Sequence, residues 1–330
     1  MSTVFKAFQV TNPAAKQFVR QIVERDTDAL PEGELLVRVA YSSLNYKDAL
    51  SATGNPGVTR NFPHTPGIDA AGTVVSCSDG RFNPGDEVIV TSYDLGMETD
   101  GGFAEMIRVP SAWAVALPDG MTLRQSMMYG TAGLTAALSV QQLVESGVTP
   151  DQGEILVTGA TGGVGSLAVA ILAQAGYQVT AATGKASESD YLKNLGATNV
   201  ITRDEVTMNN ERPLLKPRWA GVIDCVGGDM LAAAIKASRY DGVVTCCGLV
   251  GSAELPINVF PFILRGVRLI GIDSAECPMP RRQTVWNKLA SAWALPQLDR
   301  MNDELGLDQL EEAILAMLEG KLKRRVLVKL

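Results

Sequence analysis

The chain has 330 residues, 46% of them hydrophobic, and a formal net charge of −7. That length suggests two domains with a core in each, and the acidic balance excludes nucleic acid or an anionic membrane surface as the expected partner. No apolar run reaches the length of a membrane span, and the N-terminus lacks a signal-peptide pattern, so the expected location is the cytoplasm.

Residues 1–126 are strand-rich and punctuated by turns. Strands are predicted over 35–40, 72–75, 87–90 and 103–109, separated by segments such as Asn83-Pro84-Gly85-Asp86. The pattern predicts a small, irregular β-barrel. Beyond Ser126 the character changes to helix alternating with strand. Predicted strands are 155–158, 178–182, 199–201, 222–225, 243–247 and 268–272, with helices over 191–195 and 230–238. Such alternation implies α/β architecture with a doubly wound parallel sheet, and six strands is the full dinucleotide-binding complement. Residues 308–318 are amphipathic at helical spacing, and a last strand, 325–329, is expected to rejoin the first domain. Lys321, Lys323, Arg324 and Arg325 read as a solvated terminal run. The expected division is 1–126, 127–273 and 274–330, the last part returning to the first domain.

The segment from Glu154 to Ser166 carries the most information. An apolar run feeds a glycine-rich turn, which opens a helix. Gly162 and Gly165 fit the last two positions of the dinucleotide fingerprint, with Ala160 in place of the first glycine. A small residue makes the tight turn, Gly162 lets a pyrophosphate reach the backbone, and Gly165 lets helix and strand pack closely. The helix start offers N–H groups and a positive dipole end to phosphates. At the end of the second strand, where an acid would bond the ribose 2′-hydroxyl, stand Thr183, Gly184, Lys185 and then Ser187. Hydroxyls and a cation suit a 2′-phosphate, which favours NADPH over NADH.

Five cysteines are scattered along the chain, three of them in or beside apolar strand-like runs, as expected for reduced thiols. There is one histidine, His64, between prolines, and no Cys-x-x-Cys. A catalytic zinc needs three converging ligands and a structural zinc four, so no metal is expected. His64 reads as a loop residue rather than a catalyst.

Several segments together carry a resemblance: 42–49 (Ser-Ser-Leu-Asn-Tyr-Lys-Asp-Ala), 60–63, 66–69 (Pro-Gly-Ile-Asp), 130–135, the glycine turn, 261–265 and 267–269. The chain resembles the zinc-free medium-chain dehydrogenase/reductases of the quinone-oxidoreductase-like branch, and within it the bacterial acrylyl-CoA reductases. In zinc-bearing relatives a His-Glu pair stands where Ile68-Asp69 stands here. The resemblance implies a GroES-like barrel beside a Rossmann domain, a homodimer paired along 268–272, and NADPH-dependent reduction of the double bond of acryloyl-CoA to propanoyl-CoA. Hydride would pass to the β-carbon, hydrogen-bond donors would stabilise the developing charge, and a proton would reach the α-carbon. Alternative substrates are quinones, and a non-catalytic NADPH-binding redox sensor is the reading from another class.

The resemblance assigns residues to these tasks. Tyr46 is the first choice for touching the cofactor and donating a proton, with a tyrosine anchoring a helix start as its structural alternative. Asn45 would orient the thioester carbonyl, and Asp69 would line the pocket. Thr131 is placed near the nicotinamide. Thr161, Gly162, Gly163 and Val164 would cradle the pyrophosphate, and Thr183, Gly184 and Lys185 the 2′-phosphate, with Arg203 flanking the adenine or adding a second cation. Leu249 would meet the cofactor at the carboxyl edge after the fifth strand, Ile263 and Ser274 would face the nicotinamide, and Gly320 would join from the returning C-terminal segment. Simple core packing is the alternative for Leu249 and Ile263.

Overall fold

The structure is a computed structural model that describes residues 2–330. It divides into two units: residues 2–131, 275–290 and 296–330 form the first, and residues 132–274 with 291–295 the second. The first break falls one residue beyond Gly130, where the helix Leu123–Glu145 is interrupted by a positive φ of 52°. The boundary expected at 126 therefore shifts to 131, because the chain turns at that glycine. Residues 291–295 pack with the second unit although they lie in the returning segment; Trp293 and Leu295 are buried there.

The first unit holds a seven-stranded sheet in the order Asn302–Gly306, Arg325–Lys329, Leu35–Leu44, Asp69–Cys77, Glu87–Thr91 and Ala114–Ala116, with Met106–Val109 also paired to Leu35–Leu44. Alternate residues of Leu35–Leu44, among them Leu35, Val37 and Val39, face a core shared with Val74, Val88 and Ile107. Each such side chain contributes roughly 1.5–3 kcal/mol by leaving water. The last strand pairs antiparallel with the third, Val326 opposite Leu44 and Lys329 opposite Tyr41. A two-stranded hairpin, Val4–Ala14 with Gln17–Asp26, precedes the barrel and is not predicted by apolar patterning. Its second strand is largely exposed and polar, which removes the signal.

The second unit is a six-stranded parallel sheet in the order Asn199–Thr202, Val179–Thr183, Ile155–Val157, Trp219–Asp224, Ser238–Cys246 and Arg268–Gly271. In sequence rank this is 3-2-1-4-5-6, the doubly wound order that leaves a crevice at the carboxyl edge where the strand order reverses. Ile155–Val157 and Trp219–Asp224 are buried along their whole length, as parallel strands covered on both faces must be. The helix Gly163–Gln174 is buried from Gly165 to Leu172, and Gly228–Lys236 buries Leu231, Ala234 and Ile235 against Val222 and Val244. Among the described residues no helix is long and apolar enough to cross a membrane.

Candidate functional sites

In the second unit, the first strand ends at Val157 and the chain turns through Thr158 and Gly159 into the helix Gly163–Gln174. The residue that makes the tight turn is Gly159, with φ +59°, and not Ala160, which is fully buried with ordinary backbone geometry. A β-carbon at Gly165 would lie 2.8 Å from the Gly159 carbonyl carbon and 2.9 Å from the Ala160 Cα, so the close helix–strand approach read from the sequence is present. Gly162 caps the helix, and Gly162 and Gly163 are exposed, which leaves the positive helix end open to an anion. The Thr161 hydroxyl stands 3.4 Å from that of Thr183 and joins this turn to the end of the second strand.

The second and third strands run in register to Thr183 opposite Thr202, so the residues that follow each strand emerge side by side. Gly184 lies under the Arg203 guanidinium: a β-carbon there would come within 2.6 Å of Nε and 2.7 Å of Cζ. The Lys185 backbone N–H donates to the Thr183 hydroxyl at 3.0 Å. One guanidinium, two hydroxyls and a residue without a side chain thus meet at the ribose-reading position, with the Lys185 backbone beside them. That donor set fits a phosphate and offers no carboxylate to a free 2′-hydroxyl.

Sequence reasoning missed Asp224, the last residue of the fourth strand. Its fully buried carboxylate accepts from the Thr158 hydroxyl at 2.6 Å and the Gly227 N–H at 2.8 Å, tying the fourth strand to the glycine turn. Burial pushes its pKa upward. The remaining predicted cofactor residues of this unit are placed differently from one another. Leu249 and Ile263 are 69% and 68% exposed, so neither packs in a core. Ser274 accepts a hydrogen bond from the Thr135 hydroxyl at 2.7 Å.

In the first unit, the predicted catalytic residues gather around one buried carboxylate. Asp69 opens its strand with no exposed surface. It accepts from the Ser43 hydroxyl at 2.5 Å, the Asn45 side-chain amide at 2.8 Å, the Thr131 N–H at 2.9 Å and the Thr131 hydroxyl at 2.6 Å. Its acceptor capacity is taken up, so Asp69 does not line an open pocket as expected. Asn45 is equally committed: its amide also donates to the Ser43 carbonyl at 3.2 Å, and its Oδ1 accepts from Arg325 at 3.4 Å. No hydrogen of that amide is left to orient a substrate carbonyl. Both residues hold others in place.

What they hold is the start of the helix Tyr46–Ala52 and the turn at Gly130-Thr131. Asn45 is the N-cap, and its backbone N–H donates at 2.7 Å to Asp48, which also accepts from the Ile68 N–H at 2.8 Å. Burial, and secondarily the charge of Asp69, pushes Asp48 up to about 7. Tyr46 occupies the first helical position and is 52% exposed, so it is not a buried anchor. Gly130 packs on the network itself: a β-carbon there would fall 2.5 Å from Asp69 Oδ2 and 2.9 Å from Arg325 Nη2.

Arg325 is the group that sequence reasoning placed wrongly. It is buried rather than solvated, and donates to the Met128 carbonyl at 3.2 Å and the Ser43 hydroxyl at 2.9 Å. The available signal was its position in the closing strand, where Val326 stands opposite Leu44 and Arg325 comes level with the polar Asn45. His64 is buried and structural, its Nε2 3.0 Å from the Gly96 carbonyl and its backbone paired with Val10. Gly320 ends the helix Leu310–Leu318 with φ +67°, its N–H donating to the Met317 carbonyl at 3.0 Å, a helix-closing role.

Two family models match the chain: an alcohol dehydrogenase GroES-like domain over residues 31–119 and a zinc-binding dehydrogenase over residues 163–291. Among the described residues no three His, Cys, Asp or Glu side chains converge, and Asp69 is saturated by Ser43, Asn45 and Thr131, so the site does not fit a zinc ion. The chain is 45% identical to acrylyl-CoA reductase AcuI of Ruegeria pomeroyi over 91% of each chain. It is 46% identical, over 100% of both chains, to YhfP of Bacillus subtilis, whose name assigns it provisionally to the quinone oxidoreductases. The crystal structure of YhfP with NAD bound has a TM-score of 0.97 at 45% identity, covering 99% of this chain and 100% of that one. The yhdH oxidoreductase of Salmonella enterica, in complex with NADP, has a TM-score of 0.95 at 42% identity, covering 98% of this chain and 99% of that one.

Proposed function

Because this chain belongs to the medium-chain dehydrogenase/reductase family, in its quinone-oxidoreductase-like branch, we propose that it uses NADPH to reduce the carbon–carbon double bond of acryloyl-CoA, giving propanoyl-CoA. The observation that carries the cofactor is the meeting of Thr183, Gly184, Lys185 and Arg203 at the end of the second strand. The likeness to AcuI supports the acyl-CoA substrate. When bound, the nucleotide supplies the hydride that reduces the alkene.

The chain's own residues divide the remaining work. Thr161 to Val164 present the helix start to the pyrophosphate, and Lys185 with Arg203 neutralises the 2′-phosphate. Tyr46 carries the exposed hydroxyl that donates toward the substrate and is the one catalytic residue of this reading. Asn45, Asp69 and Thr131 position it by fixing the helix start and the Gly130 turn. Leu249, Ile263 and Ser274 lie on segments following the fifth strand and flanking the sixth, where the family's nicotinamide would rest. We also expect a homodimer paired through Arg268–Gly271, whose one edge has no partner strand among the described residues.

A second reading, quinone reduction with the same cofactor site, is favoured by the full-length similarity to YhfP. Following NADPH absorbance with acryloyl-CoA, crotonoyl-CoA and a simple quinone separates the two. Turnover of acryloyl-CoA well above quinone is expected; turnover of quinone alone would overturn the acyl-CoA reading.

A further inference from the structure

Three of the five cysteines meet at the carboxyl edge of the second unit's sheet, and the function above uses none of them. Cys225 follows the fourth strand and Cys247 the fifth, and these strands are parallel neighbours. Their Sγ atoms are 3.8 Å apart. Backbone contacts fix the approach: the Cys247 N–H donates to the Asp224 carbonyl at 3.0 Å, and a β-carbon at Gly248 would lie 3.0 Å from the Cys225 Cα. Both side chains are half-buried. Cys247, with Cys246, Leu249, Leu255 and Gly271, lines an open groove of about 610 Å³, whereas Cys225 stands behind it.

We propose that Cys225 and Cys247 form a site of reversible two-electron oxidation, closed to a disulfide by a hydroperoxide. The groove admits peroxide to Cys247, whose sulfur attacks one peroxide oxygen, breaks the O–O bond and leaves a sulfenic acid and water. The Cys225 sulfur then attacks that sulfenic sulfur, forming the S–S bond and releasing a second water. Two thiols are oxidised by two electrons and one hydrogen peroxide becomes two waters. A disulfide is about 2.05 Å long, so the sulfurs must close by about 1.8 Å. Contact with Cys247 and burial both hold the Cys225 thiol above its ordinary pKa, which slows its attack, so the second step rests on the 3.8 Å approach of the two sulfurs and on the electrophilic sulfenic sulfur.

The consequence reaches the nucleotide turn. The Cys225 N–H donates to the Thr158 hydroxyl at 3.1 Å, and Thr158 is the residue before Gly159. A β-carbon at Gly159 would lie 3.5 Å from the Cys225 Cβ and 3.1 Å from Val226 Cγ2. Drawing Cys225 toward the fifth strand therefore loosens the contact behind the phosphate-binding turn. Formation of the disulfide does not depend on the nucleotide reading; only its effect on NADPH does.

The test treats the full-length protein with hydrogen peroxide, blocks free thiols, and maps non-reduced peptides by mass spectrometry. The expected product joins the Cys225 and Cys247 peptides within one chain, and is absent in Cys225→Ser and Cys247→Ser. NADPH titration of the oxidised protein should show affinity about ten-fold weaker, restored by a dithiol reductant. A Cys246–Cys247 or intermolecular link in its place, or both thiols still free under a peroxide excess that modifies Cys77, overturns the site. A mapped Cys225–Cys247 link with unchanged NADPH affinity overturns the coupling to the turn.

Discussion

Replacing Arg325 by Met tests whether the buried network of the first unit is a single structural element. Methionine keeps most of the stem volume but removes donations to Met128 at 3.2 Å, Ser43 at 2.9 Å and Asn45 at 3.4 Å. It also leaves two carboxylates, Asp48 and Asp69, without their buried cation. Breaking a buried charge network from one side costs about 3–5 kcal/mol, against which stands the relief of no longer burying a guanidinium. The lower end, about 3 kcal/mol, corresponds to roughly a hundred-fold in the opening equilibrium. Hydrogen exchange of the peptide spanning 69–77 reads this unit alone, and its slowest amides should exchange about a hundred-fold faster. Adding Asp69→Asn should restore part of that loss, because the orphaned charge goes with it. An effect below about 1 kcal/mol, or a double variant whose losses simply add, would refute the network.

Three further outcomes are expected. Arg203→Ala and Lys185→Ala should each weaken NADPH by roughly ten-fold or more, the loss of a charge-assisted hydrogen bond, while leaving NADH nearly unchanged; equal losses for both nucleotides in a binding titration would remove these residues from phosphate recognition. Tyr46→Phe should lower kcat at saturating NADPH by about 10²-fold or more with little change in stability, and unaltered kinetics would take the hydroxyl out of the reaction. Asp48 tests the sign of a pH dependence: its folded pKa, about 7, lies above the unfolded value near 3.9, so the native state binds the extra proton between them. The stability it contributes is complete below about pH 4 and is lost as pH rises through about 7. Urea midpoints of the protein should fall from pH 5 to 8 more steeply than those of Asp48→Asn, and parallel curves would contradict the assignment.

The second unit was the more legible half. Runs such as 155–157 and 222–223 are continuously apolar because both faces of a parallel sheet are covered, and the glycine spacing marks the helix start that follows. The identity of the turning glycine was not legible, since Ala160 satisfies the fingerprint while Gly159 supplies the positive φ. In the first unit, apolar runs located the strands of the barrel centre but not the hairpin Val4–Asp26, whose second strand has no buried residue, nor Ala114–Ala116 and Asn302–Gly306. Its polar centre was readable as residue types and not as roles. Nothing in the order of residues says that Asp69 spends its oxygens on Ser43, Asn45 and Thr131, because those partners arrive from distant segments. Arg325 was lost for the same reason: a basic run hides the one member whose strand position turns it inward.

The closing strand has a consequence for how the protein is made. Val326 to Lys329 pair with Tyr41 to Leu44, so the barrel waits for residues synthesised after the whole dinucleotide-binding sheet. The dinucleotide-binding sheet is complete by Gly271 and can fold while synthesis continues. During that interval the amino-terminal segment would expose an unpaired strand edge and a carboxylate lacking its cation, an ordinary target for holding chaperones. Nascent chains arrested before Arg325 should accordingly combine a protease-resistant second unit with a cleavable first one.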